Sequence, residues 1–209
     1  MPHVVLLGDS IFDNARYVPG EPPVIEQLRQ CLPANWQATL AAVDGDITTD
    51  VALQLEDLPE HATHLVVSVG GNDALGYAGV LTMPATTVHQ ALLELGQVRD
   101  EFRENYRSML RAVLQHELPT VICTVYDSVP GLGDTERLAL GVFNEVILRE
   151  AFTQGLPVID LRLVCDEAAD YSEVSPIEPS VQGGEKIAKA VATAVTSHDF
   201  SQRHTCIYR

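Results

Sequence analysis

His3-Val4-Val5-Leu6-Leu7-Gly8-Asp9-Ser10 is the stretch that decides the fold. An apolar, β-branched run that stops at a Gly-Asp-Ser turn is typical of a buried strand in a parallel α/β sheet. Ligands bind such sheets outside the carboxyl ends of the strands, which is where this turn places Ser10. Ser10 is therefore a candidate nucleophile. Taken by itself, the Gly-Asp-Ser motif could instead be an ordinary turn or a helix N-cap without a catalytic role.

Strand-like runs recur along the rest of the chain, near residues 37–42, 64–69, 120–125 and 157–161, with amphipathic helical segments between them. This alternation predicts one parallel sheet of about five strands with helices on both faces. After the third strand we expect two separate helices, near residues 85–95 and 98–115. Residues 1–197 are predicted to form a single α/β domain, and residues 198–209 a loose C-terminal tail.

Composition narrows the classes of function. The hydrophobic content of 46% predicts a globular protein, and the net charge of −16 argues against a nucleic-acid partner. No apolar run is as long as a membrane span, and no basic leader precedes the first strand, so we expect no integral membrane association and a cytoplasmic location. The four cysteines form no Cys-x-x-Cys pair, which predicts reduced thiols with neither a disulfide nor a zinc site.

Three glycine-containing turns follow the first three strands and so share one edge of the sheet. They are Gly8-Asp9-Ser10, Asp44-Gly45-Asp46 and Gly70-Gly71-Asn72-Asp73. Acyl transfer requires a nucleophile and fixed donors for the developing oxyanion. Gly45 can offer a backbone N–H without a side chain in the way, and Asn72 can offer its amide. Individually, Gly45 could serve only to relieve backbone strain, and Asn72-Asp73 could cap a helix; together the three turns predict a site.

The order of these blocks resembles that of the SGNH hydrolases, also called the GDSL esterase/lipase family, over nearly the whole chain. Asp44-Gly45-Asp46 and Gly70-Gly71-Asn72-Asp73 are most similar to the thioesterase and lysophospholipase branch. The resemblance implies a flavodoxin-like three-layer sandwich. It also implies that Ser10 is the nucleophile, and that the Ser10 N–H, the Gly45 N–H and the Asn72 side chain form the oxyanion hole. The implied activity is hydrolysis of a small-molecule ester or thioester without metal or cofactor.

The fourth block departs from the family pattern, which is Asp-x-x-His followed by Pro-Ser. Here the sequence is Ser175-Pro176-Ile177-Glu178-Pro179-Ser180, and the trailing Pro-Ser and the glycine-rich start of the last helix set the alignment. Ser175 occupies the aspartate position and Glu178 the histidine position. Glu178 is therefore a candidate catalytic base, provided that burial or neighbouring charge raises its pKa towards neutrality. The alternative is that Glu178 is a solvated or merely structural carboxylate.

Other residues could supply the base. Most histidines precede strands or lie at the far edge of the sheet, which leaves His89 and His204, with Asp9 as a further possibility. The sequence thus predicts a serine hydrolase with an atypical base. The alternatives are a catalytically impaired ligand-binding module and an acyltransferase, in which an alcohol replaces water as the acyl acceptor.

Overall fold

Six parallel strands form one sheet in the order β2-β1-β3-β4-β5-β6. A computed structural model describes all of residues 1–209. The strands are β1 (His3–Gly8), β2 (Gln37–Leu40), β3 (His64–Ser68), β4 (Thr120–Cys123), β5 (Val158–Ile159) and β6 (Ile207–Tyr208). The order of the first five strands is the flavodoxin-like one, so the predicted fold class is confirmed.

Helices cover both faces of the sheet. They are α1 (Val24–Cys31), α2 (Val51–Gln54), α3 (Gly71–Gly76), α4 (Val88–Leu114), α5 (Asp134–Gln154), α6 (Leu161–Val164) and α7 (Val181–Ser197). Successive side chains of β1 point to opposite faces. Val4 and Leu6 therefore join the core with α1 and α7, while Val5 and Leu7 join the core with α4 and α5. None of the helices contains a stretch long and apolar enough to cross a membrane.

The region after β3 differs from the sequence prediction, because the two helices expected there form one continuous helix, α4. The predicted break lies beside Gly96, but the helix continues through this residue. A Cβ added to Gly96 would meet no atom within 4 Å outside the helix's own backbone. An isolated glycine costs a helix only about 1 kcal/mol. Burial of Val98, Phe102 and Tyr106 against the sheet outweighs that cost.

The C-terminal tail also differs from the prediction, because it contains the sixth strand. Val158 donates its N–H to the Cys206 carbonyl at 2.9 Å, and Asp160 donates its N–H to the Tyr208 carbonyl at 3.0 Å. The free edge of β5 has unpaired backbone groups, and the tail supplies partners for them. A two-residue strand carries no period-2 pattern, so the sequence does not reveal it.

Candidate active site

Ser10 lies in a tight turn at the carboxyl edge of the sheet. The turn begins at Gly8, whose φ is +128°, and a Cβ there would lie 1.8 Å from the Ser68 carbonyl oxygen. Only glycine fits this position. Asp9 donates its N–H to the same Ser68 oxygen at 3.1 Å, and the Asp9 carbonyl accepts the Asp13 N–H at 3.1 Å. The Ser10 side chain is consequently held in a fixed, 6% exposed position directly after β1.

Three N–H groups at this edge have no hydrogen-bond partner within the chain. Two are the backbone N–H groups of Ser10 and Gly45. The third belongs to Asn72, whose Nδ2 donates one hydrogen to the Asp46 carbonyl at 2.9 Å and keeps the other free. That bond fixes the plane of the amide. Such fixed, unpaired donors are the groups that stabilise an oxyanion during acyl transfer.

Two carboxylates hold the Gly45 turn between its neighbours. Asp13 Oδ2 accepts the Asp44 N–H at 3.0 Å, which joins the turn to the Ser10 loop. Asp73 Oδ2 accepts both the N–H and the hydroxyl of Thr48 at 3.0 Å, which joins the turn to α3, the helix that carries Asn72. Together with the Asn72 bond to the Asp46 carbonyl, these bonds connect the three segments that contain the predicted turns.

The buried side chain of Gln54 clamps the end of β1. Its Oε1 accepts the Gly8 N–H at 2.8 Å, and its Nε2 donates to the Gly8 carbonyl and to Asp46 Oδ2, both at 2.7 Å. The sequence does not identify this residue as part of the site, since Gln54 falls on a short amphipathic helix with no motif around it. One feature of the sequence does point to it. Gln54 lies between the apolar Val51 and Leu55, and a glutamine buried with such neighbours requires hydrogen-bond partners.

Glu178 is brought to the same edge by the loop before α7. Its N–H donates to the Ser175 carbonyl at 3.0 Å, and its carbonyl accepts the Ser172 N–H at 2.8 Å. The Asn14 amide donates to the neighbouring Pro179 carbonyl at 3.2 Å, which connects this loop to the Ser10 loop. The side chain of Glu178 is only 4% exposed. The structure therefore places this carboxyl beside Ser10, as the alignment of the fourth block requires.

Burial raises the pKa of Glu178 to about 7, and the nearby Ser10 hydroxyl opposes that rise. The two side chains are close, but no hydrogen bond of standard geometry joins them, and Glu178 Oε2 is buried without a partner. Burial also raises the pKa of Asp9 to about 8, and the charges of Glu178 and Asp73 add to this effect. Near neutral pH, Asp9 is therefore mostly protonated, while Glu178 is about half ionised.

A mostly apolar cavity opens beside this carboxyl pair. Its walls come from α3, α4, α5 and the loops between strands and helices, and they include Leu75, Leu81, Leu140 and Phe143. Asp9, Asn72, Glu136 and Glu178 are its acidic and amide lining residues, whereas Ser10 and Gly45 lie outside its lining. An apolar cavity with a few convergent polar groups is the usual form of a small-molecule site.

Residues 6–185 match the GDSL-like lipase/acylhydrolase family. The chain belongs to this family. Membership supports an esterase or lipase-like hydrolase that acts on ester bonds. The sequence matches none of the curated proteins significantly.

Solved structures of esterases and lipases share the fold. A lipase from a goat rumen metagenome superposes with a TM-score of 0.72 at 16% identity, with 93% of this chain and 97% of that chain covered. A lipase/acylhydrolase from Enterococcus faecalis gives 0.65 at 19% identity, with 93% and 95% covered. An acetyl xylan esterase variant from Geobacillus stearothermophilus gives 0.66 at 17% identity, with 95% and 96% covered.

No histidine of this family member lines the cavity. His89 is exposed in the first turn of α4. His204 stacks on His198, with ring centroids 4.9 Å apart, close to the start of β6 and thus at the opposite edge of the sheet. Of the candidate bases considered from the sequence, Glu178 and Asp9 are the ones that the fold brings to the Ser10 turn.

Proposed function

We propose that this protein is a carboxylic ester hydrolase in which Ser10 is the nucleophile and Glu178 the general base. The observation that carries the proposal is the buried Glu178 carboxyl, which lies beside the Ser10 side chain and lines a mostly apolar cavity. A general base works best when its pKa lies near the working pH, and burial brings Glu178 to about 7. Glu178 thus takes the part that histidine plays in the family pattern.

In the first half-reaction, ionised Glu178 removes the proton of the Ser10 hydroxyl as Oγ attacks the ester carbonyl carbon. The N–H groups of Ser10 and Gly45 and the free hydrogen of the Asn72 amide stabilise the oxyanion that forms. When the tetrahedral intermediate collapses, the bond to the alkoxide breaks and Glu178 returns the proton to that leaving group. An acyl-Ser10 ester remains.

In the second half-reaction, water attacks the acyl-Ser10 carbonyl and Glu178 takes one of its protons. Collapse releases the carboxylic acid as the proton returns to Ser10 Oγ. Asp9 assists by staying mostly protonated, because its pKa is about 8, so that a single negative charge occupies the carboxyl pair. A second full charge there would raise the pKa of Glu178 further and reduce the fraction that acts as a base.

The acyl group is the part of the substrate that fits the cavity. Leu75, Leu81, Leu140 and Phe143 belong to a lining that is mostly hydrophobic, so we propose a small-molecule ester or thioester with an apolar acyl chain. An alcohol that replaces water in the second half-reaction would make the same machinery an acyltransferase.

A second candidate is a ligand-binding module that uses the same cavity without turnover. Two observations favour it: both members of the family's Asp-x-x-His pair are replaced, and Glu178 Oε2 has no hydrogen-bond partner to orient it. In this case the unpartnered carboxyl would serve a bound ligand and not Ser10.

Labelling with a fluorophosphonate, followed by mass spectrometry of the intact protein, distinguishes the ester hydrolase from the binding module. A hydrolase should gain one phosphonyl group at Ser10, and Ser10→Ala should gain none. Ser175→Ala is the matched control, because Ser175 is a half-buried serine on the loop that carries Glu178, and labelling of this variant should equal that of the wild type. A wild type that stays unlabelled under conditions that label an active serine esterase would favour the binding module.

A further inference from the structure

A second cluster of reactive side chains lies at the edge of the sheet opposite Ser10. His198 follows α7, and His204 and Cys206 lie in the segment that leads into β6. Each offers a ligand atom, and these three atoms lie within 4.8 Å of one another. We propose that His198, His204 and Cys206 bind one zinc-type divalent transition ion. The site is independent of the proposed hydrolytic chemistry.

The state of His198 is the observation that favours a ligand. The side chain is only 9% exposed, and its Nε2 is buried without a hydrogen-bond partner. Its Nδ1 is hydrogen-bonded to the Tyr208 hydroxyl at 3.1 Å. A metal-binding histidine usually holds its other nitrogen in such a bond, which orients the ring. Nε2 is thus left to bind a metal, and a bound ion would satisfy an otherwise orphaned atom.

Aromatic packing fixes the ring of His198 but leaves that nitrogen unsatisfied. Phe200 meets the ring edge-on with centroids 4.7 Å apart, and His204 stacks on it at 4.9 Å. These contacts account for the burial of His198, since they supply apolar and ring surfaces. They supply no acceptor or donor to Nε2. Packing alone therefore does not explain the cluster.

The geometry suits a tetrahedral ion. Bond lengths of about 2.0–2.1 Å to nitrogen and about 2.3 Å to sulfur place tetrahedral ligand atoms about 3.3–3.8 Å apart. The present separations, which are at most 4.8 Å, need to close by at most about 1.5 Å. The His204 side chain is exposed and Cys206 is half-buried, so a rotation of these side chains meets little packed structure. Two imidazoles and a thiolate are ligands that zinc prefers, with water as the fourth. Binding releases the Cys206 thiol proton.

The backbone around Cys206 shows what the ion would do. The Cys206 carbonyl accepts the Val158 N–H at 2.9 Å, so the cysteine is fixed to β5, while His198 is fixed to the end of α7. An ion bound by both would cross-link α7 to the short strand β6. The expected effect is a stabilised C-terminal segment, with no direct effect on Ser10.

The test uses the full chain without a polyhistidine tag, after a chelator has removed bound metal. Zn²⁺ binding is measured by titration calorimetry, and Co²⁺ binding is followed by absorption spectroscopy. We expect one ion per chain and a thiolate-to-cobalt charge-transfer band. Removal of a residue that only orients a metal ligand typically lowers metal affinity about 10–100-fold. Removal of a ligand itself should cost at least as much, so His204→Ala and Cys206→Ser should each weaken Zn²⁺ binding at least tenfold. Cys206→Ser should also lose the charge-transfer band.

Cys31→Ser and His89→Ala are matched controls, because these residues are accessible and lie elsewhere on the surface. Both should bind Zn²⁺ as the wild type does. Absence of one-to-one binding, or unchanged affinity in His204→Ala and Cys206→Ser, would overturn the proposal. If those variants fail to fold, alkylation of wild-type Cys206 decides the question. Zn²⁺ should protect its thiol, and a rate of alkylation that Zn²⁺ does not change would reject the site.

Discussion

Replacement of Glu178 by glutamine should lower activity and raise stability at the same time. The carboxyl ionises near 4.5 when solvated but near 7 in the folded protein, chiefly because it is buried. Between these two values the folded state holds more protons than the unfolded state, so the free energy of unfolding contributed by Glu178 falls as the pH rises from about 4.5 to about 7. Glutamine remains neutral and removes this dependence.

The size of the effect follows from the two pKa values. A rise from 4.5 to about 7 corresponds to at most about 3.5 kcal/mol, since each tenfold change in the ionisation constant is about 1.4 kcal/mol. Water at the mouth of the cavity screens part of this penalty, which leaves about 1–3 kcal/mol. Glu178→Gln should be more stable than the wild type by that amount at about pH 8 and nearly equal to it at about pH 4. Loss of the negative charge also lowers the pKa of Asp9, which acts in the same direction.

The assay pairs urea unfolding with hydrolysis of p-nitrophenyl esters over the same range of pH. Wild-type turnover should rise with pH, because about a tenth of Glu178 is ionised one pH unit below its pKa and about nine-tenths one unit above. Glu178→Gln should lose about 10²–10⁴-fold of that rate, the usual cost of removing a general base. Glu173→Gln is the matched control, since this exposed glutamate lies on the same loop; it should change neither quantity.

Two results would contradict the role and the burial assigned to Glu178. If Glu178→Gln hydrolyses esters at the wild-type rate while Ser10→Ala does not, Ser10 keeps its role but the base is another group, and Asp9 becomes the first to test. If the unfolding free energy of Glu178→Gln changes with pH between about 4.5 and 7 just as that of the wild type does, the carboxyl is not ionising in a buried position.

Three further predictions concern the parts around this carboxyl. Asn72→Ala should lower kcat for ester hydrolysis by about 10²–10³-fold with little change in KM, because its amide acts on the oxyanion and not on the bound ester; a change confined to KM would contradict this. Leu140→Trp should fill the cavity, so that esters with long acyl chains lose kcat/KM while acetate esters keep it; equal losses for both would argue against acyl binding there. Gly8→Ala should destabilise the fold by more than about 4 kcal/mol in urea unfolding, because its Cβ would meet the Ser68 oxygen, whereas Gly141→Ala, in open space on α5, should gain about 0.5–1 kcal/mol.

The first five strands of the sheet and the position of the Ser10 turn follow from the sequence alone. Apolar, β-branched runs that end at glycine-containing turns identify buried parallel strands, and the direction of parallel strands brings those turns to one edge. The alignment of Glu178 likewise followed from local sequence, since Pro179-Ser180 and the glycines of α7 mark the register. Patterns of this kind are recognisable because each lies within a few consecutive residues.

Only the tertiary structure decided the chemical state of these groups. The pKa of Glu178 depends on which distant segments exclude water from it, and no local pattern specifies that. The clamp that Gln54 places on Gly8 spans 46 positions of the chain, and its bonds exist only after β1 and α2 have packed together. His198 and Cys206 lie close together because β6 pairs with β5. Each strand contributes only two residues to this pairing, and the sequence does not reveal it. Burial and long-range contact are properties of the folded chain, and in this protein they bring to about 7 the pKa of a glutamate that the sequence could only align.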